Sequence, residues 1–279
     1  MDICVFSKHF QTMGAEQLAR TMTDLGVAGV DLTVRPGGHV EPERVAEELP
    51  AFQDALAAGG VKVAMLTTAI TGADEPHARA VIEAAGRAGV PHVKLGYWHY
   101  QGLGHYGRQV GEVRAALSGL EPVLKEHGVR AGVHTHSGPY MGPNAEFVLR
   151  LIEQCDPALI GVYYDAGHCT VEGGGAGWMM GLDAVSDRLF MVAVKDLAFF
   201  RMGGADDARK GWTLKMVPLD AGLVNWREFV RCLKAIDFRG PVSLHSEYQG
   251  AHSFVDMTQE QVIEQTRRDL DYFRSLLAS

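Results

Sequence analysis

The sequence is poor in everything that would take it out of the ordinary globular class. No apolar run approaches the roughly 20 residues of a membrane-spanning helix, so no membrane partner is expected. Its opening, Met1-Asp2-Ile3-Cys4-Val5-Phe6, lacks the basic region and long apolar core of a secretory signal, and a cytoplasmic location is expected. Cysteine is sparse: four residues, at 4, 155, 169 and 232, with no CxxC pairing, read as reduced thiols rather than as a disulfide framework. Positive charge is in deficit. Lys and Arg number 26 against 34 Asp and Glu, a net charge of −8, and such a surface repels phosphate backbones, so no nucleic-acid partner is expected. There is no Gly/Ser-rich linker, low-complexity tract or shift in composition, so residues 1–279 are expected to form one domain. No GxGxxG follows the first apolar run, which counts against a dinucleotide cofactor.

What the sequence does contain is alternation. Short apolar runs recur at Ile3–Phe6, Gly29–Val34, Val61–Thr67, His92–Gly96, Val129–His134, Ile160–Asp165, Phe190–Lys195 and Val242–His245. Continuous rather than alternating apolar character is the mark of parallel strands buried on both faces. Helical spacing fills the intervals, as in Val45, Leu49, Phe52 and Leu56, or Trp226, Phe229, Val230 and Leu233. A last helix is expected over about Thr258 to Leu277, and glycines such as Gly26, Gly89 and Gly128 stop the helices before the next strand. Eight strand–helix pairs in a chain of 279 residues predict an α/β fold, a single (β/α)8 TIM barrel, with an open doubly wound sheet as the competitor.

Barrel enzymes carry their chemistry at the C-terminal ends of the strands. Six of the 12 histidines fall there: His9, His39, His134, His136, His168 and His245. Strand alternation puts His134 and His136 on one side, and likewise His245 and Glu247. With Asp165 and Lys195 they form a set of imidazoles, carboxylates and one amine from different strands. Such a set suits a divalent metal or acid–base work near neutral pH. A lone histidine at a strand end is more often a hydrogen-bonded loop residue, so His9 and His39 weigh little singly. Asp196 is read as a cap for the segment after it. Arg35, beside Gly37-Gly38, suits an anionic or polyhydroxyl ligand. Tyr97, Trp98 and Tyr100 are placed to stack on a sugar or to cover the barrel mouth. Glu172-Gly173-Gly174-Gly175-Ala176-Gly177 reads as a flexible loop rather than a phosphate cradle. Leu197 to about Gly222 is long enough for a lid or a subunit contact.

At these strand ends the sequence resembles the xylose isomerase-like barrel superfamily, which includes sugar isomerases and epimerases, inosose dehydratases and a zinc-dependent endonuclease. The resemblance runs through nearly the whole chain. It is carried by Asp165-Ala166-Gly167-His168, Val194-Lys195-Asp196, Val217-Pro218-Leu219-Asp220-Ala221-Gly222, and Gly240-Pro241 leading to His245-Ser246-Glu247-Tyr248. The segment Gly29 to His39 looks like the signature of a keto-sugar branch. The family's epimerases hold a metal by Glu, Asp, His and Glu from strands five to eight. Here the first position falls on His134, the second matches Asp165, the third falls on Ala193, which cannot bind metal, and the fourth falls on His245 or, in a shifted register, Glu247. Only Asp165 is plainly kept.

The resemblance implies an isomerase or epimerase of a sugar or keto-sugar, working by proton abstraction alpha to a carbonyl through an enediolate. On this expectation His134, Asp165 and His245 hold a divalent metal such as zinc, manganese, cobalt or iron. Glu247, His136 and Lys195 do the acid–base chemistry, and Arg35, His39, His168 and Trp98 hold the substrate. A lyase or dehydratase on a keto-sugar or inosose, and a metal-free sugar-binding barrel, are the alternatives. A homo-oligomer is expected by resemblance alone.

Overall fold

The computed structural model describes residues 1–201 and 211–279. Eight parallel strands close into a barrel: β1 (Asp2–Phe6), β2 (Gly29–Val34), β3 (Lys62–Thr68), β4 (His92–Lys94), β5 (Arg130–His134), β6 (Ile160–Asp165), β7 (Leu189–Val194) and β10 (Pro241–Leu244). The order round the barrel is β1-β10-β7-β6-β5-β4-β3-β2, so the first and last strands meet and no edge is left open. All six residues of β2 and all six of β6 are buried, which is why these strands read as unbroken apolar runs.

Eight helices pack around the outside: α1 (Ala15–Asp24), α2 (Val45–Ala58), α3 (Ala78–Arg87), α4 (Tyr106–His127), α5 (Ala145–Ile152), α6 (Ala166–Ala184), α7 (Trp226–Ala235) and α8 (Gln259–Ala278). Their apolar stripes face the strands; α7 turns Trp226, Phe229, Val230 and Leu233 inward, the four residues expected from spacing. Thr258 starts α8 with a reciprocal capping box to Gln261. Gly128 ends α4 at φ 65°, a left-handed turn that costs glycine little. Among the described residues no helix is long and apolar enough to cross a membrane.

Two expectations change. The glycine-rich segment 172–177 is not a loop but part of α6, which kinks where Gly174 takes φ 61°. The chain after β7 is not plain loop either: β8 (Asp196–Arg201) and β9 (Trp212–Val217) pair as an antiparallel hairpin. Residues 202–210, the middle of the expected lid or subunit contact, lie outside the described residues. The exposed face of the hairpin carries Phe199 and Trp212, both about half exposed, and this alternation of buried and exposed positions is what the run-based reading passed over.

Candidate active site

The strands end in charged side chains that point toward the barrel axis, because a residue in a strand buried on both faces has nowhere else to put a polar group. Asp31 on β2 is fully buried and accepts hydrogen bonds from the hydroxyls of Thr67 (2.7 Å), Ser243 (2.8 Å) and Tyr163 (3.4 Å). Burial is the larger influence and raises its carboxyl pKa, against the opposing pull of His245 and the three hydroxyls. The Tyr163 hydroxyl also lies 2.8 Å from His245 Nε2, linking Asp31 to the mouth of the barrel.

Asp165, the last residue of β6, does two jobs. Its Oδ1 accepts the backbone N–H of His168 at 2.9 Å and caps α6. Gly167 lies inside that turn because a Cβ there would sit 2.7 Å from the carbonyl oxygen of Lys195. Its Oδ2 faces the Lys195 ammonium at 3.0 Å and His134 Nε2 at 3.3 Å. Burial pushes the Asp165 carboxyl up. Lys195, His168 and His134 outweigh that, and hold it well below the usual carboxylate range. Lys195 also reaches Glu247 Oε1 at 3.5 Å. Burial alone would lower its ammonium, but the two carboxylates more than compensate and raise it above the ordinary value.

Glu247 stands at the other end of this row. Its Oε2 meets Lys8 Nζ at 2.7 Å, and its Oε1 lies 3.4 Å from His245 Nδ1. Burial again works upward, but Lys195, His245, His9 and Lys8 keep the carboxyl well below its usual range. Glu247 is therefore an ionised group clamped between two lysines.

The histidines separate by their hydrogen bonds. His134 gives Nε2–H to Asp165 and takes the Tyr97 hydroxyl on Nδ1 at 2.7 Å. Burial lowers its pKa well below the ordinary value, so the ring is neutral and both nitrogens are engaged. His136 Nδ1 faces the carbonyl oxygen of Ser137 at 2.9 Å. A carbonyl only accepts, so Nδ1 carries the proton and Nε2 the lone pair. Burial first, then Lys195, pushes the His136 pKa down to about 4. His168 packs its ring 3.9 Å from that of His136 and ties Nδ1 to the Ser137 hydroxyl at 2.7 Å.

A cavity of about 230 Å³ opens among Lys8, Arg35, Lys94, Tyr97, His134, His136, Tyr140, Lys195, His245 and Glu247, floored by Phe6, Thr67 and Tyr163. It thus gathers seven of the residues singled out from the sequence, Arg35, Tyr97, His134, His136, Lys195, His245 and Glu247, and adds Lys94, buried over the Tyr97 ring at 3.6 Å. Lys94 and Asp31 were legible as lone charges inside apolar strand runs.

Three expectations are corrected by position. His39 does not reach the cavity: Thr33 donates its hydroxyl to Nδ1 at 3.1 Å, and Nε2 donates to the Phe10 carbonyl at 3.1 Å. Trp98 does not reach the cavity; it lines an outer groove against α4, which Tyr97 also borders. His168 stands behind His136 rather than on the cavity wall.

Of the expected metal set of His134, Asp165 and His245, only His245 keeps a ring nitrogen, Nδ1, without a hydrogen-bond partner. His134 has no lone pair to give, and Asp165 Oδ2 already faces a buried ammonium. Ala193 pairs in register with Asp165 and Ser243 and belongs to the apolar barrel interior with Cys4 and Met65. The positive charge of this centre is supplied by Lys195. These residues do not fit a divalent metal between them.

Comparison with known proteins sets this geometry in context. Residues 19–276 match the family model described as xylose isomerase-like TIM barrel. No curated protein matches the chain. Among solved structures, 3-keto-D-glucoside 4-epimerase from E. coli is similar at 15% identity and TM-score 0.71, over 99% of each chain. D-psicose 3-epimerase from Clostridium cellulolyticum H10, solved with D-tagatose, is similar at 13% identity and TM-score 0.70, over 99% of each chain. A xylose isomerase-like TIM barrel protein from Mycobacterium smegmatis, solved in complex with magnesium, is similar at 15% identity and TM-score 0.70, over 99% of this chain and 97% of that one. At such identities the likeness shows the fold.

Proposed function

Because the chain belongs to the xylose isomerase-like TIM barrel family, we propose that it is a carbohydrate isomerase or epimerase that enolises a ketose-type substrate in the cavity around Lys195. The observation that carries this reading is the Lys195 ammonium, buried between Asp165 and Glu247. An ammonium has three N–H donors. Two are directed to the carboxylates, and the third serves the oxygen of a bound carbonyl. Charge developing on that oxygen during proton removal meets a fixed cation in a site shielded from water, the arrangement that stabilises an enediolate most effectively.

His136 is the base. Its Nδ1 is committed to the Ser137 carbonyl, which leaves Nε2 to take the proton from the carbon alpha to the carbonyl. The proton taken by His136 exchanges with solvent; a solvent proton entering the same carbon from the opposite face gives the epimer, and a solvent proton entering the former carbonyl carbon, with its oxygen protonated and the neighbouring hydroxyl proton released, gives the isomer. Asp165 and Glu247 remain ionised and act as positioning residues for Lys195. Arg35, Lys94 and Tyr140 line the cavity and take the substrate's hydroxyl oxygens. The sugar-epimerase neighbours support this substrate class.

The test is product analysis on a panel of ketohexoses that includes D-fructose, D-tagatose and D-psicose. Conversion by the native chain, lost in His136→Asn, supports the reading. No conversion of any ketose, with sugars still bound, would replace it by a sugar-binding barrel.

A further inference from the structure

Away from the Asp165–Lys195 pair, a second group of donors converges where the segment after β1 meets the segment after β10. His9, Glu247 and His252 each bring one donor atom, all within 4.8 Å of one another. His9 is buried, and its Nδ1 faces the side-chain oxygen of Gln249 at 3.4 Å. With Nδ1 donating to that oxygen, the ring leaves Nε2 as its ligating nitrogen. His9 Nε2 is buried without a hydrogen-bond partner, and it stands 3.7 Å from Glu247 Oε2. An imidazole nitrogen without a hydrogen bond thus faces a carboxylate oxygen, and the cation now at that oxygen is the Lys8 ammonium at 2.7 Å. The exposed His252 closes the third side, its ring centred 6.1 Å from that of His9.

We infer that His9, Glu247 and His252 form a three-ligand site for a divalent transition-metal ion of the zinc, cobalt and nickel class. Two imidazoles and one carboxylate with further positions open is a donor set that zinc accepts in catalytic sites. Imidazole donors select this class over magnesium. Gln249 supplies the outer-shell hydrogen bond that fixes the tautomer of a ligating histidine. Lys8 now holds Glu247 Oε2, but its side chain is 35% exposed and is free to swing out when a dication arrives. Glu247 Oε1 stays with Lys195. The site lies on the rim, uses none of the residues corrected above, and shares Glu247 with the enolisation reading, which routes no step through the ion.

The experiment is titration of the chelator-treated full chain with cobalt(II), read by equilibrium dialysis and by the visible d–d bands of a low-coordinate complex. The site predicts one equivalent bound with those bands. Gln249→Leu weakens binding about 10- to 100-fold, the usual cost of removing an outer-shell partner, and His252→Ala weakens it at least as much. Lys8→Met tightens it. His105→Ala, an exposed histidine elsewhere, leaves it unchanged. His252 and Gln249 lie in a surface segment, and thermal unfolding by circular dichroism verifies that each variant is folded. No cobalt binding, or binding equal in the native chain and His252→Ala, overturns the site. Neither result bears on ketose conversion, so failure here and failure of the enolisation reading are told apart.

Discussion

The Lys195 ammonium lies 3.0 Å from Asp165 Oδ2, and both groups are buried at the mouth of the barrel. A carboxylate and an ammonium withdrawn from water together are stable only as a pair. Here the pair sits at the strand ends, where TIM-barrel enzymes carry their chemistry, and in the proposed function it fixes the charge that a bound carbonyl meets.

Removing one partner exposes this dependence. Lys195→Met leaves Asp165 charged and buried with only imidazoles beside it, and it is expected to cost about 3–5 kcal/mol of stability. Turnover on a converted ketose is expected to fall about 10²- to 10³-fold, the usual effect of losing one donor to a developing oxyanion. Denaturant unfolding and steady-state assay measure the two effects separately. A variant as stable and active as the native chain contradicts the role given to Lys195.

The pH dependence follows from His136 and Asp165. His136 must be neutral to act as base, and its pKa of about 4 keeps it so through the range where an ordinary imidazole is half protonated. The acid limb of kcat/KM is therefore expected near pH 4 rather than near 6.5. Asp165 has a folded pKa below its unfolded value. Its contribution to stability is present above about pH 4 and is lost as pH falls through the folded value. An acid limb at 6 or above would show that His136 is not the base.

Asp196 holds the turn that follows the hairpin. Its carboxylate accepts the backbone N–H groups of Leu197 (2.8 Å), Leu223 (2.8 Å) and Val224 (3.1 Å) and the Trp226 indole N–H (2.8 Å). A Cβ at Gly222 would land on that carboxylate. Gly222→Ala is expected to destabilise the chain by about 1–3 kcal/mol, the cost of overpacking a filled site, as a lowered melting temperature. Unchanged melting would mean that this turn is not held by Asp196.

His39 separates structure from function. With both ring nitrogens bonded to Thr33 and Phe10, His39→Ala is expected to lower stability by about 1–3 kcal/mol through the unpaired groups it leaves. KM and kcat are expected to stay near native values. A rise in KM with unchanged stability would return His39 to the substrate site.

The barrel was legible because burial on both faces writes itself into a strand as an unbroken apolar run. β2 and β6 match their expected spans residue for residue. The hairpin of β8 and β9 was not legible, because a half-exposed pair alternates and the reading sought continuous runs. At the candidate site, Asp165, His134, His136, Lys195, His245 and Glu247 were singled out because chemistry collects at strand ends, and all but Asp165 line the same cavity. What the sequence could not convey was pairing. Spacing cannot tell that His134 spends both nitrogens, that Trp98 stays outside the cavity, or that Lys195 reaches the oxygen where a metal was expected. Those outcomes depend on side-chain directions set by the closed barrel.

The measurement that tests the central claim most directly is proton exchange at the carbon alpha to the substrate carbonyl. Each ketohexose of the panel is incubated with the chain in deuterated water and followed by proton NMR. The account predicts deuterium at that carbon with the native chain, strongly slowed in both Lys195→Met and His136→Asn. Epimer or isomer formed without deuterium incorporation, or incorporation unchanged in the two variants, would contradict it.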